Sequence, residues 1–178
     1  NYDIRELDMK KYLIYFIIIL STNLFAQMFT SMDISTDVIE AYGVFATDIN
    51  GDGYMDIISA SREDDTIVWY ENDGAADPAW TASTIAIDAD GVINVFAVDI
   101  DDDGDIDIVS ANNHGNTVVW YENDGNINPS WTAYDIAVDR DAPFGIYATD
   151  IDRDGDMDII STSAGDDTII WYENDGDA

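Results

Sequence analysis

The chain repeats itself every 51 residues, and no other feature limits its possible folds so tightly. Asp48, Asp99 and Asp150 stand one period apart, as do Trp69, Trp120 and Trp171, and Asn72, Asn123 and Asn174. No insertion or deletion breaks the period. Such a repeat means one supersecondary unit built several times, each copy burying its apolar surface against the next.

The content of the unit says what is repeated. It opens on an apolar stretch, Val44 to Thr47, followed by an acidic loop and a second apolar stretch, Ile57 to Ala60. A polar turn from Arg62 to Asp65 leads into Thr66-Ile-Val-Trp-Tyr-Glu-Asn-Asp-Gly74. A loop containing Pro78 and Trp80 then leads to Thr84-Ile-Ala-Ile-Asp88. These runs are short, rich in Val, Ile, Thr, Trp and Tyr, and bounded by Gly, Asn and Asp, which is the grammar of strands. Beyond the N-terminal segment no stretch sustains a helical period. In the third strand Ile67, Trp69 and Glu71 face one way, and Val68 and Tyr70 the other. The recurring Trp is read as packing between neighbouring sheets.

The predicted fold class is therefore all-β: a β-propeller-like array of three four-stranded blades, over 43–93, 94–144 and 145–178, the last lacking its final strand. Phe29-Thr-Ser31 aligns with Trp80-Thr-Ala82 and Trp131-Thr-Ala133, which places a fourth strand over 29–37. That strand would complete the last blade. Propellers typically have about 4–8 blades, so three invite an explanation. A truncated larger propeller, self-association and a tight three-unit form all account for the count. Truncation is the favoured expectation, because the N-terminus looks unpolished and Asp-Gly-Asp-Ala ends abruptly.

The acidic loops carry the chemistry. They read Asp48-Ile-Asn-Gly-Asp-Gly-Tyr-Met-Asp56, Asp99-Ile-Asp-Asp-Asp-Gly-Asp-Ile-Asp107 and Asp150-Ile-Asp-Arg-Asp-Gly-Asp-Met-Asp158. Each has side-chain oxygens at positions 1, 3, 5 and 9 and Gly at position 6. Oxygen ligands on alternate positions of a tight loop suit a hard cation such as Ca²⁺, and the glycine permits the sharp turn that lets them converge. An EF-hand would need a Glu at position 12, where this chain has Ser59, Ser110 and Ser161, and it would need flanking helices.

The pattern Asp-x-Asp/Asn-x-Asp-Gly-x-x-Asp between two short strands resembles the FG-GAP or VCBS type of repeat, found in integrin-α-like β-propellers and many secreted bacterial proteins. The Trp-Tyr-Glu-Asn-Asp-Gly run at 69–74, 120–125 and 171–176 is similar to the bacterial branch of that group. The resemblance covers 29–178 and implies up to three Ca²⁺ ions, one per repeat. In the first unit it implies side-chain oxygens from Asp48, Asn50, Asp52 and Asp56, with the carbonyl of Tyr54. In the second it implies Asp99, Asp101, Asp103 and Asp107, with the carbonyl of Asp105. In the third it implies Asp150, Asp152, Asp154 and Asp158, with the carbonyl of Asp156. Asn50 is neutral, so the first site should bind more weakly. The integrin-like Phe-Gly…Gly-Ala-Pro signature is not intact.

Charge and leader narrow the function. The chain has 38 acidic residues against six basic ones, a net charge of −32. Nucleic acid and anionic membrane are poor partners for it, since both need Lys and Arg. The absence of cysteine leaves neither a disulfide framework nor a Cys-based zinc site. Met9-Lys-Lys11, the apolar run Tyr12–Leu20 and Ser21–Ala26 form a secretory signal peptide over 9–26, too short to span a membrane comfortably. Residues 1–8 look like read-through upstream of the start, and 27–178 form the mature chain. Export to the outside of a bacterial cell would keep even weak calcium sites filled. The one histidine, His114, is expected as an exposed turn residue, and neither a nucleophile pair nor a phosphate cradle is evident. The chain thus reads as a secreted, non-catalytic, calcium-binding module for protein or cell-surface interaction and adhesion. The alternative is a carbohydrate-binding propeller, perhaps accessory to a polysaccharide-acting enzyme. Its aromatic platforms would be Trp80, Trp131 and the equivalent Phe29, unless these are staples between outer strands.

Overall fold

A strand with apolar side chains on both faces is covered only inside a stack of sheets. The computed structural model describes residues 29–176. Contacts separate a first unit, of which residues 29–34 are described and carry no strand, from a second beginning at Ser35. The second unit holds β1 (Ala41–Thr47), β2 (Asp56–Ser61), β3 (Thr66–Asn72), β4 (Trp80–Ala86), β5 (Val92–Val98), β6 (Asp107–Asn112), β7 (Thr117–Asn123), β8 (Trp131–Ala137), β9 (Pro143–Thr149), β10 (Asp158–Ser163) and β11 (Thr168–Tyr172). There is no helix among the described residues.

The strands form three antiparallel meanders, β1-β2-β3-β4, β5-β6-β7-β8 and β9-β10-β11. Register is identical in each. Phe45 pairs with Ile58, which pairs with Trp69. Phe96, Val109 and Trp120 repeat this ladder, as do Tyr147, Ile160 and Trp171. The sheets stack face to face. Ile58, Ile67 and Trp69 of the first bury against Val95, Ile108 and Tyr121 of the second. Val109, Val118 and Trp120 of the second pack with Ile146, Ala148 and Ile159 of the third. The first strands β1, β5 and β9 lie side by side. They are linked by tilted ring pairs, Phe45–Phe96 at 4.8 Å and Phe96–Tyr147 at 4.7 Å. The sheets are the propeller-like blades expected, set in an open arc.

Two local expectations fail. The outer strand begins at Trp80, and not after it, because Trp80 pairs with Asn72 and extends the ladder to the end of β3. No strand forms over 29–37: residues 29–40 have no ladder partner. Two of their backbone N–H groups bond to side chains instead. The Asp37 N–H donates to Ser35 Oγ at 3.3 Å, and the Ile39 N–H donates to Asp64 Oδ2 at 2.7 Å. Short polar side chains that bond nearby backbone compete with sheet pairing in this way. The segments read as read-through and signal peptide, 1–8 and 9–26, lie outside the described residues.

Candidate metal centre

Each acidic loop joins the first two strands of a blade, so all three project from the same rim. Thr47 pairs with Asp56, Val98 with Asp107 and Thr149 with Asp158, which closes the loop over the same eight positions each time. The position-6 glycines have φ of 92° at Gly53, 98° at Gly104 and 113° at Gly155, values side chains rarely tolerate. This is the sharp turn the loop needs.

The ninth-position aspartate anchors the loop from below. Asp107 is fully buried. Its Oδ2 accepts from the Ile100 N–H at 3.2 Å, and its Oδ1 accepts from the Asn123 N–H at 2.8 Å. Asp56 and Asp158 make the same two bonds, to Ile49 and Asn72 and to Ile151 and Asn174. The carboxylate thereby ties the loop's entry to the end of the third strand. Burial pushes the Asp107 carboxyl up to about 6, against the pull of those two N–H donors. Burial also raises Asp101, followed by repulsion from Asp103 and Asp99.

Positions 1, 3 and 9 converge. Asp99, Asp101 and Asp107 each offer an oxygen lying within 4.8 Å of the other two, and so do Asp150, Asp152 and Asp158. These clusters can hold metal ions. Asp99 Oδ2 accepts from the Gly104 N–H at 3.0 Å, whereas its buried Oδ1 has no hydrogen-bond partner. A buried orphan oxygen on a residue clustered with two further carboxylates fits a hard divalent cation. The ion pairs among the described residues, Arg62–Glu40 and His114–Asp90, sit at the opposite rim and neutralise nothing here.

The remaining predicted ligands are placed differently. The position-5 carboxylates cap the loop backbone: Asp52, Asp103 and Asp154 accept from the N–H of Tyr54, Asp105 and Asp156 at 2.8, 2.9 and 3.1 Å. They stand outside the two clusters. The position-7 side chains lie over turn glycines, Tyr54 on Gly74, Asp105 on Gly125 and Asp156 on Gly176, leaving only their carbonyls for a loop ligand. In the first loop Asn50 replaces the central carboxylate, and its Nδ2 donates to Glu71 Oε1 at 3.3 Å. Asp48, Asp52 and Asp56 do not form a third such cluster.

A profile of FG-GAP-like repeats matches residues 48–110 and 99–161. Together these spans cover more than half of the chain. The chain belongs to the FG-GAP-like repeat family. Each match starts on the first aspartate of one loop and runs into the second strand of the next blade, so the acidic loop opens each FG-GAP-like unit. No curated protein matches the chain.

The FG-GAP-like units also use a residue to which the sequence assigned no role. Asn123 is buried, and its side-chain amide donates to the Ile106 carbonyl at 3.0 Å while its Oδ1 accepts from the Gly125 N–H at 3.0 Å. Asn72 and Asn174 repeat both bonds. The signal was present, since this Asn recurs at the full period. Its meaning depends on strand register. Of the recurring aromatics, Trp69 is buried between the first two blades, and Trp131 packs against the same core as a staple. His114 is an exposed turn residue, with Nε2 2.7 Å from an Arg62 guanidinium nitrogen.

Proposed function

We propose that this protein is a secreted, non-catalytic interaction module whose FG-GAP-like blades are held together at one rim by Ca²⁺. The observation that carries the reading is the convergence of Asp99, Asp101 and Asp107, repeated at Asp150, Asp152 and Asp158, with the Asp99 Oδ1 buried and unpartnered. Charges this close repel unless a cation lies among them. When bound, Ca²⁺ supplies that positive charge and accepts oxygen ligands in a flexible geometry. The chain's own part is to preset the loop: the glycine turn, the buried ninth aspartate and the Asn clamp are all formed by the fold. The leader pattern over 9–26 supports export. The opposite rim, away from the nine-residue loops, is the surface offered to an extracellular protein or cell-surface ligand. A glycan platform draws less support, because Trp131 is engaged in the core.

The ion stabilises the folded chain by mass action, by about 2.7 kcal/mol per site when free ion is 100 times Kd. Calcium titration calorimetry should find two tighter sites and one weaker. Asn50→Asp should strengthen the weaker one. Excess chelator should lower the melting temperature sharply. An unchanged melting curve in chelator, with no heat of calcium binding, would sink the metal reading.

A further inference from the structure

The second blade holds a cavity of about 250 Å³ toward the rim opposite the calcium loops. Its floor is buried and comes from β6 and β7, as Asn112, Val119 and Tyr121. Three exposed carboxylates stand round its mouth, Asp88 and Asp90 of the β4–β5 connection and Asp135 of β8. Register explains the grouping. Val119 pairs with Asp135 and Tyr121 with Ala133, so the outer-strand carboxylate shares a face with the tyrosine. Burial raises the Tyr121 hydroxyl pKa, and the charges of Asp88 and Asp135 push the same way. Among the described residues only Asp90 of the three meets a basic group, with His114 Nδ1 at 3.9 Å.

The third blade shows what suits such a place. One period on, Asp88-Ala-Asp90 becomes Asp139-Arg-Asp141, and Tyr121 becomes Tyr172. Arg140 lays its guanidinium over Tyr172, with Cζ 5.7 Å from the ring centroid and Nε buried. At that distance the ring's negative face attracts a cation. On the second blade the equivalent residue is Ala89, which has no side chain to reach Tyr121, and the space stays open beneath three carboxylates. A bare metal ion does not fit it. Among the described residues, the carboxylates gathered within 4.8 Å of one another are those of the second and third acidic loops. Carboxylates set further apart, beside a ring, suit a flat cation that spreads its charge and its N–H donors over several nitrogens. We infer that this cavity receives the guanidinium of an arginine side chain presented by an extracellular protein partner. The inference rests on the reading of the opposite rim as the partner surface and names the chemistry that surface selects. It uses no residue of the calcium loops.

Titration of the full chain with Nα-acetylarginine amide, followed by NMR in calcium buffer, tests it. The Tyr121 ring and Asn112 side-chain amide signals should move along one saturable curve. The citrulline counterpart has nearly the same shape and no charge, and it should bind more than about tenfold more weakly. Asp88→Asn and Asp135→Asn change exposed positions, so both should fold. Each should weaken binding about two- to fivefold, as loss of one exposed ion pair does. Asp77→Asn, exposed on the β3–β4 loop, removes the same charge elsewhere and should leave binding unchanged. Free arginine, which brings its own carboxylate to an acidic mouth, should bind more weakly than the capped form. Stronger binding of free arginine would overturn the assignment to a partner's side chain. Equal binding of the arginine and citrulline compounds would overturn the inference. An equal loss with Asp77→Asn would overturn it too, as that describes general attraction to an acidic surface. No shift at Tyr121 while the calcium sites are filled would overturn it and leave the metal reading standing. A saturable shift in a folded chain that takes up no calcium would do the reverse.

Discussion

At Gly104 the backbone has φ of 98°, and a Cβ built there meets nothing within 4 Å. The demand for glycine is therefore conformational and not steric. Gly104→Ala should cost about 1–2 kcal/mol, read as a lower melting temperature in chelator, and should weaken calcium binding at the second loop alone. An unaffected second site would show that the turn is not what gathers Asp99 and Asp101. Asp107 supports a pH prediction. Its carboxyl is raised from 3.8 to about 6, so between those values the folded, metal-free chain holds more protons than the unfolded one. Stability then falls as pH rises through that window. An ion requires the ionised form and reverses the sign. In chelator the melting temperature should be higher at about pH 5 than at about pH 7, and in saturating calcium lower. Scanning calorimetry of Asp107→Asn separates this group from the general acid excess: the variant should lose part of the slope in chelator. An identical slope would remove Asp107 from the account.

The three equivalent strands β3, β7 and β11 carry one motif in three environments. Trp69 is 2% exposed and Trp171 is 46% exposed. Trp69→Ala should cost about 3–5 kcal/mol, as large core truncations do. Trp171→Ala should cost the isolated chain less than half as much, measured by urea unfolding at low concentration. Equal losses would mean that Trp171 is covered within one chain. This contrast also marks how far the sequence could be read. Alternation and period placed the strands, their faces and the Trp contacts between sheets, because apolar burial acts through the pattern of side chains. Which copy of a repeated Trp is covered depends on its neighbour blade, and identical motifs cannot say that. The loops divide in the same way. Spacing and the glycine identified the oxygen-rich turn. The segregation of positions 1, 3 and 9 from the capping carboxylates Asp103 and Asp154 rests on hydrogen bonds to backbone N–H groups that only the folded loop presents. The fourth strand expected over 29–37 does not form, because the alignment with Trp80 and Trp131 carries no ladder partner for it.

For the molecule as a whole, a net charge of −32 sets the three acidic loops within a generally repulsive field. Adjacent loops feel one another: Asp156 is raised first by desolvation, then by Asp154 and by Asp102 of the neighbouring loop. Binding at one rim should therefore relieve strain that spans blades, and salt should partly replace it. In chelator, moderate sodium chloride should raise the melting temperature, because the Debye length contracts to about 10 Å at 0.1 M and loop-to-loop repulsion is screened. In saturating calcium the same salt should do less, since the closest charges are already neutralised. It should also weaken calcium binding by competition. Measured at concentrations too low for association, the two salt dependences should converge as ionic strength rises. If they run parallel instead, the repulsion that salt screens lies elsewhere on the surface. The ion's contribution would then be local to each hairpin, and the blades would owe their stacking to the apolar faces alone.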